Sequence, residues 1–168
     1  MERVLVIDPA KCIGCRICEV MCSLSHEQES NPEKSRIRII TSEAEGNIID
    51  IPINCLQCVE APCQAICPTD AIYDSPATGA KLTNQDKCIG CSACVFACPF
   101  GATFVDRGKG ISFRCDLCDG DPLCARFCPT GCLKFLKIDE VSIRLRRSHM
   151  AEFLKFQKMT PIMPAEEA

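Results

Sequence analysis

The sequence predicts an α+β fold of four repeats, each running strand, cysteine loop, one short helix, strand. Three observations predict it. Cysteine supplies 17 of the 168 residues, and all but one fall into four groups of four. A common frame surrounds the groups: AKCIGCRIC and QDKCIGCSAC open two of them, and CPTDAI, CPFGAT and CPTGCL close three. Short β-type segments flank the groups, as expected for small repeated units.

Taken in order, VLVID leads into group one, Cys12, Cys15, Cys18 and Cys22, and RIRII follows it. NIIDIPI precedes group two, Cys55, Cys58, Cys63 and Cys67. Group three is Cys88, Cys91, Cys94 and Cys98, followed by ATFVD and ISF. Group four is Cys115, Cys118, Cys124 and Cys128, with LKFLKI after it. Only Cys132 is left over. It falls where the other repeats have Ala71 and Ala102, a small apolar position before a strand, and is expected to be a packing residue.

Such cysteine density means a disulfide scaffold, zinc sites or iron–sulfur clusters. The N-terminal apolar run VLVI ends at Asp8 and Pro9, too short for a signal peptide, and no apolar run reaches spanning length. The expected location is therefore cytoplasmic, where structural disulfides are rare, and an odd count also argues against a closed disulfide set. Zinc tetrads pair two CxxC units across a longer gap, whereas here each tetrad crowds into one short stretch. His26 and His149 have no place in any tetrad.

Group three is the bacterial ferredoxin run C-x2-C-x2-C-x3-C-P, and group one departs from it only by Ser23 in place of proline. In such runs three thiolates hold one [4Fe–4S] cluster and the fourth, about 6 Å further along a helix, reaches a second. Groups two and four widen the middle gap and place Pro62 and Pro122 there. The core is poor in aromatics, with no Trp, one Tyr and eight Phe, and bulky clusters would fill it.

Residues 1 to 140 resemble the four-cluster electron-transfer subunits of molybdenum and tungsten enzymes, the dimethyl sulfoxide reductase, formate dehydrogenase and nitrate reductase family. CIGCRICEVMCSLSHE followed by NPEKSRIRI is similar to the small subunits of tungsten aldehyde oxidoreductase and tungsten benzoyl-CoA reductase type enzymes. The resemblance implies two bacterial dicluster ferredoxin-like lobes, 1–40 with 107–140 and 41–106, plus a tail at 141–168. It also implies four [4Fe–4S] clusters held by Cys12, Cys15, Cys18 and Cys128; by Cys115, Cys118, Cys124 and Cys22; by Cys55, Cys58, Cys63 and Cys98; and by Cys88, Cys91, Cys94 and Cys67. The implied partners are a molybdenum- or tungsten-pterin catalytic subunit and a ferredoxin or flavin subunit. A hydrogenase or carbon monoxide dehydrogenase partner, or a free polyferredoxin, is the alternative.

Other chemistry finds little footing. Net charge is −3, so no basic field favours nucleic acid. RGKGIS lacks the P-loop Ser or Thr after Lys109, and GxGxxG and HExxH are absent. Gly14 and Gly90 are expected to let backbone N–H groups approach sulfur. Lys11, Lys87 and Arg114 each precede a tetrad, where a cation either raises a cluster's potential or is merely solvated. DEVSIRLRRSHMAEFLKFQKM reads as a helix or a strand, covering its own lobe or docking a partner, and TPIMPAEEA as an extended arm.

Overall fold

Four two-stranded antiparallel ribbons and four short helices enclose the cysteine loops in a computed structural model, which describes residues 3–44 and 47–142. β1 (Arg3–Ile7) pairs with β8 (Leu133–Lys137), so the first strand closes on the last one described. The Asp8 N–H extends that ribbon by donating to the Cys132 carbonyl at 2.8 Å. β2 (Ile37–Ala44) and β3 (Asn47–Asn54) form the long hairpin. Ile37 and Ile39 point inward from it and Ile40 outward, the period of two that a half-buried strand requires. The remaining ribbons are short: β4 (Ile72–Asp74) with β5 (Lys81–Thr83), and β6 (Phe104–Asp106) with β7 (Ile111–Phe113).

The β4–β5 ribbon is not foreseen from the sequence. IYD and KLT are each three residues long, too short for alternation to register.

The helices are α1 (Ile17–Glu27), α2 (Pro62–Ala65), α3 (Ala93–Ala97) and α4 (Leu123–Arg126). Three stop within a turn and a half, where Pro68, Pro99 and Pro129 follow the last cysteine. α1 runs eleven residues because Ser23 stands where the others have proline. α1 packs against α4, and α2 against α3. Glu19, on α1 and almost wholly buried, accepts the Ile39 N–H at 2.8 Å and so ties the helix to β2. The chain turns helical again over 138–142; the rest of the expected tail lies outside the described residues.

The apolar core is thin. Among the described residues its buried members are seven cysteines with alanines and the aliphatics Ile37, Ile39, Ile72, Leu117 and Leu133, and no aromatic. Such a core has little apolar area to bury, so the cysteine loops have to hold the ribbons together.

Backbone geometry shows how tightly those loops are specified. Gly90 has φ +65°, and a Cβ there would run into the Gly110 carbonyl oxygen. Gly90→Ala is therefore expected to cost about 1–2 kcal/mol in backbone strain alone. A thermal melt of the loaded protein should show a midpoint lower by about 2–8 °C.

Candidate metal centres

One backbone device recurs in all four tetrads. The second residue between the first two cysteines is Gly14, Gln57, Gly90 or Leu117, and each has positive φ: 65°, 52°, 65° and 61°. A left-handed residue there turns the loop so that neighbouring cysteines face one point. Glycine does this without strain, and the other two residues are held by their surroundings. Leu117 is 1 % exposed. The Gln57 side-chain amide donates to the Cys115 carbonyl at 2.7 Å and accepts the Lys81 N–H at 2.7 Å. Gln57 thus joins tetrad two to tetrad four.

The third cysteine is equally regular. Cys18, Cys63, Cys94 and Cys124 are each the second residue of a helix, and each is buried. Groups one and three enter that helix through a left-handed Arg16 or Ser92, while groups two and four use the widened gap and Pro62 or Pro122. In groups two, three and four the fourth cysteine sits in a tight turn, whereas Cys22 lies within α1. Ala71 N–H donates to Cys67 Sγ at 3.3 Å, and Ala102 N–H to Cys98 Sγ at 3.4 Å. The Cys132 N–H serves Cys128 in the same way.

These turns shape the thiols. Burial pushes the Cys67 and Cys128 thiols up, but the N–H groups and threonine hydroxyls around them outweigh it and leave both below the ordinary value. Cys88 is likewise pulled down against burial, by the Ser112 and Gly90 N–H groups and the Ser112 hydroxyl. Elsewhere burial wins. It raises Cys18 to about 12, with Glu19 adding repulsion, and Cys118 to about 11, with Asp116 adding repulsion. Cys115 and Cys124 are raised well above the ordinary value by burial and by neighbouring cysteines.

Distant segments meet at these thiols. One cavity is lined by Cys12, Cys15, Cys18 and Cys128, with Cys132 on its wall. A second is lined by Cys67, Cys88, Cys91 and Cys94. Cys22 lies close enough to Cys115, Cys118 and Cys124 to repel each of them once ionised. Cys63 stands in the same relation to Cys55 and Cys98. None of the cysteines is in a disulfide. A buried crowd of soft sulfur donors with N–H groups turned toward it suits a polynuclear iron centre, which binds thiolates and so relieves their repulsion.

Of the three cations placed before a tetrad, Lys87 is exposed and Lys11 pairs with Asp8 at the surface. Arg114 behaves differently. It is 3 % exposed and donates from Nη1 to Cys63 Sγ at 3.2 Å. Although it adjoins tetrad four in sequence, it serves tetrad two. His26 also stands beside a tetrad: Nδ1 is 2.8 Å from the Cys22 carbonyl and Nε2 is 3.0 Å from Asp116. His149 lies outside the described residues.

The family model of the 4Fe–4S dicluster domain matches residues 47–138, more than half of the chain. The chain belongs to the 4Fe–4S dicluster family. It accordingly carries [4Fe–4S] clusters in a ferredoxin-like α+β fold, and its work is electron transfer. The polyferredoxin-like subunit of aliphatic sulfonate oxidoreductase from Pyrococcus furiosus is 45 % identical over 82 % of this chain and 78 % of its own length. The thiosulfate reductase electron transfer subunit PhsB of Salmonella typhi is 31 % identical over 85 % of this chain and 80 % of its own. Among solved structures, a chain of the benzoyl coenzyme A reductase active-site complex BamBC is 27 % identical over 80 % of this chain and 75 % of its own, with a TM-score of 0.48. The dicluster match spans tetrads two to four, and tetrad one precedes it.

Sequence reasoning missed Gln57, His26, Asp116 and Ser112. Only Gln57 carries a signal, because it occupies the position that is glycine in groups one and three. Cys132 is 2 % exposed, matching the buried Ala71 and Ala102. Its thiol is raised to about 11 by burial and by Cys12. Cys132→Ala should therefore keep the full iron content, whereas Cys128→Ala should lose about a quarter of it, one cluster in four. Colorimetric iron determination on anaerobically purified variants checks both.

Proposed function

We propose that this chain is the electron-transfer subunit of a multi-subunit oxidoreductase and relays single electrons along four [4Fe–4S] clusters. The carrying observation is the gradient of exposure along the thiol sites. Cys15 and Cys91 are exposed, and Cys115 is buried with Cys55 packed against it. In this reading two outward sites flank two inward ones.

In this reading Cys12, Cys15, Cys18 and Cys128 hold the first outward cluster, and Cys22, Cys115, Cys118 and Cys124 the inward one beside it. Cys55, Cys58, Cys63 and Cys98 hold the second inward cluster, and Cys67, Cys88, Cys91 and Cys94 the second outward one. The shared cavities and the mutual repulsion of these thiols support the assignment. The lobes are then 1–40 with 107–140, and 41–106. The β1–β8 ribbon and the α1–α4 contact support the first, and the α2–α3 contact the second. Each bound cluster accepts and gives up one electron. The chain's residues space the sites, exclude water from the inward pair and set potentials through N–H groups and charge.

The partner at one end is a molybdenum- or tungsten-pterin catalytic subunit, and at the other ferredoxin, a flavin subunit or a similar carrier. The naming of relatives as subunits of aliphatic sulfonate oxidoreductase and thiosulfate reductase supports a separate catalytic partner subunit. We place the protein in the cytoplasm, a reducing compartment in which a chain this rich in cysteine and lacking disulfides fits. Among the described residues no helix is long and apolar enough to cross a membrane.

Purified anaerobically, the chain should contain about sixteen iron and sixteen acid-labile sulfide atoms. A preparation holding zinc alone would overturn the cluster assignment. Co-purification from the native organism with metal analysis tests the partner: molybdenum or tungsten supports it, and nickel moves the assignment to a hydrogenase or carbon monoxide dehydrogenase.

A further inference from the structure

β7 leads into tetrad four, yet Ser112 within it and Arg114 just past its end face the other lobe. Ser112 and Arg114 are two apart and share one side of an extended segment. Both are 3 % exposed. Arg114 Nη1 donates to Cys63 Sγ at 3.2 Å, and Nη2 donates to Ser112 Oγ at 3.3 Å. The Ser112 N–H in turn donates to Cys88 Sγ at 3.5 Å, and its Oγ lies 3.8 Å from the same sulfur. Cys63 and Cys88 belong to different thiol sites. One guanidinium therefore touches one site directly and a second through a single hydroxyl.

From this arrangement, which rests on the ligand assignment above, we propose that Arg114 raises the potentials of two clusters. It acts on the Cys63 cluster by direct contact and more weakly on the Cys88 cluster through Ser112.

Reduction adds one negative charge to a cluster that its four thiolates already make anionic. A fixed cation and a donor to sulfur both favour that charge. The guanidinium supplies both. Among the described residues it meets no carboxylate: its hydrogen-bond acceptors are the Cys63 sulfur and the Ser112 hydroxyl. Burial leaves its field less screened than that of the surface cations Lys11 and Lys87. Because direct contact exceeds relayed contact, Arg114 would favour an added electron at the Cys63 site more than at the Cys88 site. Arg114 is thus a positioning residue for charge and no ligand itself.

Redox titration of the loaded, anaerobically purified protein, followed by electron paramagnetic resonance with iron and sulfide analysis on the same samples, tests this. Arg114→Gln should retain wild-type iron. At a fixed ambient potential the reduced-to-oxidised ratio of one cluster should fall about tenfold, which is about 59 mV for a one-electron step. A second cluster should fall by less, and the other two should not move. Ser112→Ala should move only that second cluster. Arg114→Lys, which keeps the charge and loses the forked donor, should lie between wild type and Arg114→Gln. Wild-type midpoints for all four clusters in Arg114→Gln, or an equal shift in all four, overturns the proposal. If Arg114→Gln loses iron, Arg114→Lys carries the test, and midpoints identical to wild type overturn the proposal. A wild-type protein without iron and sulfide instead defeats the ligand assignment, which keeps the two failures apart.

Discussion

Thiols gathered this closely in a protein interior cannot all ionise unless cationic metal sits among them. Burial pushes Cys18 and Cys118 far above the ordinary thiol range, and the neighbouring thiols in the Cys22, Cys115, Cys118 and Cys124 group repel one another further. Metal binding reverses the sign of that interaction, because each thiolate then meets positive charge rather than another thiolate. The rest of the structure follows from this constraint. The ribbons are short, the core holds few aliphatics, and segments far apart in sequence join at sulfur. Metal binding and folding are therefore one equilibrium for this chain, as in other small proteins whose core is a metal site.

Not all the thiols are treated alike. Cys67 and Cys128 close their tetrads inside turns whose N–H groups face the sulfur, and these are held below the ordinary value despite burial. The third cysteines, at the starts of helices, are all buried. Tetrads two and four therefore each contain one thiol held below the ordinary value beside others raised above it. In those two tetrads such a contrast favours metal capture first at the turn thiol, since the thiolate is the metal ligand. The same N–H groups then serve as hydrogen-bond donors to sulfur, which raises potential. One piece of backbone geometry thus acts in assembly and in tuning.

The sequence is most legible where covalent spacing decides the geometry. Cysteines three residues apart cannot avoid facing one another once a left-handed residue turns the loop, so the tetrads and their odd member Cys132 are readable directly. Helix lengths follow the prolines, which act through the chain's own sterics. Legibility ends where tertiary contact decides. β4 and β5 are too short to show a period, and their pairing depends on the turn between them. Arg114 stands next to Cys115 in sequence and yet bonds to Cys63, because its place on an extended segment points it away from its own tetrad. Adjacency in sequence is a poor guide to which cluster a side chain serves, since successive residues of a strand face opposite ways.

Ser23 joins these strands of argument. It looks like a defect in the ferredoxin run, the one tetrad not closed by proline. In the fold it is wholly buried, donates from Oγ to the Val20 carbonyl and accepts the Asn31 N–H at 3.2 Å. Proline in its place would remove an N–H from the helix and clash with the carbonyl of Glu19. Without proline, α1 continues to His26, which reaches Asp116 in the loop of tetrad four. The longer helix also carries Cys22 against the sulfurs of that loop. The first and last tetrads have the longest separation to close. A helix extended past its cysteine spans part of that distance with a rigid element and adds a second, non-thiol contact at its far end. The departure from the repeat therefore falls where closure is entropically hardest.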